Sequence, residues 1–229
     1  MAVAMRVYGE VSMLFVLTGD VQTGKTRWLE AVLEELREAG VTIAGVLAPG
    51  IWRERSEAEM EELRLAGEEP SRFEKLGIDN VLLPQGERLL FARRRDLAEA
   101  EGSFEAKSQS AQAKLQWEMP EEALERVIAH LAALADVALD KTSLEDAAPA
   151  AFLVIDEVGR LELLRNGGLT AALDLLDAGP NPAYRHTLII VREELLEIAC
   201  ERFEPAWGSP VSVSPDEEGR ALLLGAFSV

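Results

Sequence analysis

The chain has 229 residues, 48% of them hydrophobic, which suits one α/β domain with a full core and excludes a disordered composition. Lys plus Arg number 23 against 41 Asp plus Glu, a net charge of −18, so binding to nucleic acid or an anionic membrane is excluded except at a local basic patch. One cysteine, Cys200, excludes an intrachain disulfide and a cysteine-built metal site. Residues 1–11 lack the parts of a signal peptide and read as an N-terminal extension or a short edge strand. Residues 12–229 read as a single domain. No apolar run approaches the length of about eighteen residues needed to span a membrane, which predicts a cytoplasmic protein.

In chain order, Ser12 to Thr18 is an apolar run of strand length. Gly19, Asp20, Val21, Gln22, Thr23, Gly24, Lys25 and Thr26 then fit G-x-x-x-x-G-K-[ST], and Arg27 opens a helix that runs to Ala39. Strand, loop and helix N-terminus in this order aim backbone N–H groups at one point, where the helix dipole adds positive charge. A polyphosphate is the ligand this predicts. Lys25 is expected at the β- and γ-phosphates, with the Thr26 hydroxyl on Mg²⁺. The helix carries apolar residues at Trp28, Leu29, Val32, Leu33 and Leu36, and Gly40 ends it.

Val41 to Leu47 reads as a second strand, parallel to the first. Ile51 to Glu74 is charged and weakly periodic, so a surface helix or flap is expected. Leu76 to Leu83 and Arg88 to Arg93 flank Pro84-Gln85-Gly86-Glu87 and predict a hairpin. Arg94 to Gln116 is polar and reads as a disordered or lid segment. Pro120 suits the first turn of a helix to about Ala135, followed by a connector, Val137 to Pro149. Segments 51–75, 94–116 and 137–149 thus read as loop or lid insertions. Ala151 to Ile155 is continuous and apolar, as in a central parallel strand. Gly168 to Ala178 reads as a helix and Thr187 to Val191 as a buried strand, with a further helix through Phe203. Strands alternate with helices, so the class is α/β: a mostly parallel central sheet, helices on both faces and an added hairpin.

The strand at Phe152 to Ile155 ends in Asp156-Glu157, an apolar strand closing on two acids. Asp156 is expected to support Mg²⁺ at the carboxyl end of its strand, where ligands sit in open α/β sheets. Glu157 is placed to activate water as a catalytic base. Asp156 to Gly159 also fits the D-x-x-G of GTPases, but the chain has no N-K-x-D guanine motif, no L-S-G-G-Q signature and no protein-kinase catalytic loop. Arg160 is a candidate finger in cis, with a surface ion pair as the alternative for it and for Glu162. Arg93, Arg94 and Arg95 form either a positive rim or a solvated charge run, and Arg192 is a candidate sensor at a strand end. His130 and His186 read as structural. Trp117 is either a base platform or core packing.

Together, Thr18 to Thr26 and Val154-Ile155-Asp156-Glu157-Val158-Gly159-Arg160-Leu161-Glu162-Leu163 resemble the cancer-related nucleoside-triphosphatase family, also known from thermophiles. Weaker matches lie at Gly45 to Pro49, Leu90 to Arg93 and Trp117 to Leu124, so the resemblance covers most of Met13 to Val213. It implies a RecA-like P-loop NTPase fold. It also implies slow, Mg²⁺-dependent hydrolysis of ATP, GTP, CTP and UTP with little base preference. By position, Lys25 and Thr26 hold phosphate and Mg²⁺, Asp156 supports Mg²⁺, and Glu157 is the base. Ile51 to Glu74 and Val137 to Pro149 depart from the family pattern, and Asp20 puts an unusual carboxylate near the phosphates. Two other readings stay open: a P-loop kinase with a small acceptor, and a nucleotide-gated switch with a protein partner. The acidic surface leaves room for such a partner.

Overall fold

The computed structural model describes residues 12–20, 23–112, 116–139 and 151–228. Five strands form a parallel set: β1 (Met13–Leu17), β2 (Ile43–Leu47), β7 (Phe152–Ile155), β8 (His186–Ile190) and β9 (Val211–Val213), in spatial order β2-β7-β8-β1-β9. Their side chains alternate between two cores. In β1, Leu14 and Val16 face one layer and Phe15 and Leu17 the other. In β7, Leu153 and Ile155 share the first layer, Phe152 and Val154 the second. Both faces of these strands are covered, which explains why they read as unbroken apolar runs.

On one face lie α1 (Lys25–Glu38) and α9 (Glu217–Ala226), which bury Leu29, Val32, Leu33, Leu36 and Leu223. On the other lie α5 (Glu121–Leu139), α7 (Thr170–Asp177) and α8 (Leu196–Trp207). Here Leu124, Val127 and Leu131 of α5 meet Leu173 and Leu176 of α7 and Phe203 of α8 in one core. The helix predicted from Pro120 is therefore real and longer than the apolar spacing implied. Gly45 of β2 is required by close approach: a Cβ there would stand 1.9 Å from the Val154 carbonyl oxygen.

The second part of the sheet is antiparallel. The strand β4 (Phe73–Leu83) pairs β2 along Val81 to Leu83 and β5 (Glu87–Arg94) through the predicted hairpin. A short strand, β6 (Trp117–Glu118), extends the edge beyond β5, and β3 (Gly50–Glu54) pairs the first half of β4. The sequence between residues 51 and 74 thus holds a strand, a helix, α2 (Glu57–Leu65), and the start of β4, where a helix or flap was expected. The strand was hidden because β3 is an edge: Arg53 and Glu54 point to solvent and ion pairs, not to a core. Likewise residues 94–116 contain α3 (Arg95–Glu101) and α4 (Gln109–Gln112). Two small polar groups, Ser108 and Ser110, are buried there and bond each other, so polarity at these positions marks a buried contact. Between β7 and α7 lies α6 (Arg160–Arg165). The expected N-terminal extension, 1–11, and residues 140–149 of the expected connector lie outside the described residues; 137–139 end α5.

Candidate functional site

The glycine-rich loop leaves β1 and enters α1 through Gly24, whose left-handed φ of 84° makes it the helix N-cap. Its carbonyl accepts the first intrahelical bond, from Trp28 N–H at 2.9 Å. Thr23 Oγ1 donates to the Asp20 carbonyl at 2.8 Å, and Lys25 Nζ donates to the carbonyls of Gly19 and Asp20 at 2.7 Å each. The lysine therefore lies across the loop it belongs to. Val21 and Gln22 lie outside the described residues. Arg27 is exposed on the first turn of α1, and Asp20 is exposed and lines a second, shallower cleft with Glu193 and Glu194.

The loop meets the central strand at one contact. Thr26 Oγ1 donates to Asp156 Oδ2 at 2.8 Å, across 130 residues of chain. Ala48 N–H, at the end of β2, donates to the same oxygen at 3.0 Å. Asp156 is buried, and burial pushes its carboxyl up to about 6; the Ala48 and Thr26 donors oppose this, the nearby Glu157 adds to it and Lys75 opposes it. Beside it, Glu157 Oε1 accepts from Arg192 Nε at 2.9 Å, with both side chains partly open to solvent. Arg192 follows β8, so neighbouring strand ends bring the acid and the arginine together.

One cleft of about 370 Å³ runs from these groups toward the antiparallel part of the sheet. Thr26, Asp156, Glu157, Arg160 and Arg192 line it. Arg160 is the exposed first residue of α6. Glu162 is neither a surface ion-pair partner nor solvent-exposed. It is buried and accepts from the backbone N–H groups of Gly159 and Leu169, each at 2.9 Å. Burial raises its carboxyl above the ordinary glutamate range. Its place is structural: it ties the start of α6 to the loop before α7, and so fixes the backbone just past the two acids.

The arginine run does not form a rim on this cleft. Arg93 pairs with Glu101, Arg94 with Glu74 and Asp96, and Arg95 donates to the Ser110 carbonyl. His130 bonds the Gly45 carbonyl at 3.0 Å and His186 packs against Phe15 and Phe227, both structural.

Sequence reasoning missed Lys75. It lies on β4, lines the cleft, and is half-buried between the Trp117 ring at 5.3 Å and the Trp52 ring at 6.0 Å. Its ammonium makes no hydrogen bond or ion pair among the described residues. Burial pulls its titration down, while the charges of Glu157 and Asp156 pull it up. No local motif marks it, because the strand that carries it sits far in sequence from both acids. Trp117, weighed as a base platform or a core residue, is a half-buried wall of the cleft.

The chemistry open to this arrangement is that of a polyphosphate at an oxygen-rich metal position. A hydroxyl and a buried carboxylate in contact, next to a helix N-terminus, suit Mg²⁺, which takes one or two carboxylates and completes its shell with water and phosphate oxygens. Among the described residues no group of three His, Cys, Asp or Glu could hold a metal ion. No helix among the described residues is long and apolar enough to cross a membrane.

Comparison with protein-family models finds no match, and comparison with curated proteins finds none. Among solved structures, the chain is similar to one described as the solution structure of a human cancer-related nucleoside triphosphatase. The match has a TM-score of 0.52 and 18% identity, and covers 94% of this chain and 95% of that one. At that identity the likeness concerns the fold alone, a mixed α/β sheet covered by helices, in the class that the alternation of strands and helices predicts.

Proposed function

We propose that the chain is a Mg²⁺-dependent nucleoside triphosphatase that releases the γ-phosphate by direct attack of water. The observation that carries this reading is the 2.8 Å contact between Thr26 and Asp156. It joins the residue that follows the loop lysine to the acid that ends the central strand, as binding of a metal-bound triphosphate requires. The similar fold of a protein described as a nucleoside triphosphatase supports it as well.

In this reading the α1 N-terminus and the loop amides receive the β-phosphate. Lys25 exchanges the carbonyls of Gly19 and Asp20 for β- and γ-phosphate oxygens. Thr26 and Asp156 hold Mg²⁺, which when bound neutralises charge on the β- and γ-oxygens. Glu157, oriented by Arg192, takes the proton of the attacking water. Arg160 and Lys75 stand on the cleft wall as further cations for the charge on the transferred group. No guanine-reading motif is present, so ATP, GTP, CTP and UTP are expected within about tenfold of one another, roughly 1.4 kcal/mol. Phosphate release from the four, with and without Mg²⁺, tests this. Metal-independent release, or a thousandfold choice of one base, would contradict it.

A further inference from the structure

The cleft has two unlike halves. The half at Thr26, Asp156, Glu157 and Arg192 is polar and charged. The other half is walled by Ile78, Phe91, Trp117, Met119, Leu124 and Leu169, from β4, β5, β6, α5 and the start of α7. Apolar walls of this extent are not needed to place a single attacking water. A volume of about 370 Å³ is in the range of sites for small organic ligands, which combine apolar and aromatic walls with a few convergent polar groups.

Position decides which ligand. The loop follows β1 and the two acids follow β7, two strands across the sheet, while β4, β5 and β6, which carry much of the apolar wall, lie on the far side of β7. In the reading above the loop receives the β-phosphate and Glu157 serves the nucleophile, so the γ end of the triphosphate faces the apolar half. The nucleoside leaves from the opposite end, three phosphates away. Glu157 lines the same cleft, so the apolar half adjoins the position that this reading gives the nucleophile. Lys75, with no hydrogen-bonding partner among the described residues, sits between Trp52 and Trp117 and lines the same cleft.

We propose that the apolar half is the binding chamber of a second substrate: a small alcohol with a planar, aromatic body that accepts the γ-phosphoryl group. The ring stacks on Trp117 and Phe91, and the hydroxyl meets Glu157. The acceptor oxygen forms a bond to the γ-phosphorus as the bond from that phosphorus to the bridging oxygen breaks. The electron pair of that bond stays on the β-phosphate of the departing diphosphate. The hydroxyl proton passes to Glu157 and then to solvent. Water takes the same place when the chamber is empty, so the inference rests on the γ-phosphoryl cleavage described above and names its acceptor.

The test uses the full chain with Mg²⁺ and γ-labelled ATP, alone and with benzyl alcohol, 2-phenylethanol or 4-(hydroxymethyl)pyridine. Inorganic phosphate and phosphate monoester are separated and counted. The expected result is saturable formation of a labelled monoester from at least one of these alcohols. The ratio of monoester to phosphate should fall at least about tenfold in Ala92→Phe, which fills the chamber from β5. Met119→Trp narrows it from the other side and serves if Ala92→Phe does not fold. Inorganic phosphate without monoester from any alcohol overturns the chamber and leaves hydrolysis standing. A ratio unchanged in both variants also overturns it. Neither product, in wild type as in Lys25→Ala, removes the triphosphatase reading and the acceptor with it.

Discussion

The parallel and antiparallel parts of the sheet solve the same problem by different means. In the parallel part, strands such as β7 and β8 are buried on both faces, and their stability comes from apolar area removed from water. In the antiparallel part, β3 and β5 keep exposed faces and carry paired charges: Arg53, Arg55 and Arg94 converge on Glu74, and Arg88 meets Asp79. Exposed pairs of this kind add little stability. The difference also divides the site. The parallel part supplies the loop, Asp156, Glu157 and Arg192; the antiparallel part supplies Lys75 and most of the apolar wall. The doubly buried half thus carries the loop and the two acids, and the more solvated half carries Lys75 and most of the apolar wall.

Substitutions can break or sharpen that division. The largest effect is expected at Lys25→Ala, which removes the loop cation. Turnover should fall by about 10³-fold, near 4 kcal/mol, measured as phosphate release under saturating Mg-ATP. Next comes Leu188→Ala in β8, fully buried between the two parallel neighbours. It should lower stability by roughly 3 kcal/mol in urea unfolding, with much of the loss from the cavity it leaves. Lys75→Met keeps the apolar stem and deletes the charge. It should lower turnover about tenfold while shifting the urea midpoint little, as expected of a group that touches the reacting charge and not the core.

A smaller effect is one of pH. The Asp156 carboxyl is raised in the folded state, from near 3.8 to about 6, so the folded protein holds a proton there that the unfolded chain has lost. Without metal, its contribution to stability is greatest below pH 3.8 and declines as pH rises to about 6. Urea midpoints of wild type relative to Asp156→Asn should fall across that window. The smallest effects belong to the antiparallel surface. Phe73→Ala, at a half-exposed ring, should lose less than about 1 kcal/mol, and Arg88→Ala about 0.5 kcal/mol or less. A loss at Phe73 as large as at Leu188 would erase the contrast between the two parts.

The same contrast explains what could be read from the sequence. The parallel part announces itself, because double-sided burial forces continuous apolar runs and a phosphate-binding loop has a fixed spacing. Thr26 belongs to that loop and Asp156 closes such a run, and the structure brings the two into contact. Edge strands leave no such trace: β3, with Arg53 and Glu54, looks like surface helix until its partner β4 is seen. Lys75 could not be found, since its meaning comes from Trp117, Glu157 and Asp156, all distant in sequence. Glu162 was visible three residues past Gly159, the spacing of a helix-capping acid, but was weighed as a surface charge.

The central claim is that Asp156 and Glu157, adjacent in sequence, do different work: one holds the metal and the other handles the proton. Single-turnover hydrolysis measured beside equilibrium binding of a labelled nucleoside triphosphate separates them. Asp156→Asn should weaken binding and hydrolysis together. Glu157→Gln should bind nearly as wild type and cut hydrolysis by about 10²–10⁴-fold, the usual range for a positioned acid–base group. Hydrolysis by Glu157→Gln at the wild-type rate would contradict the account.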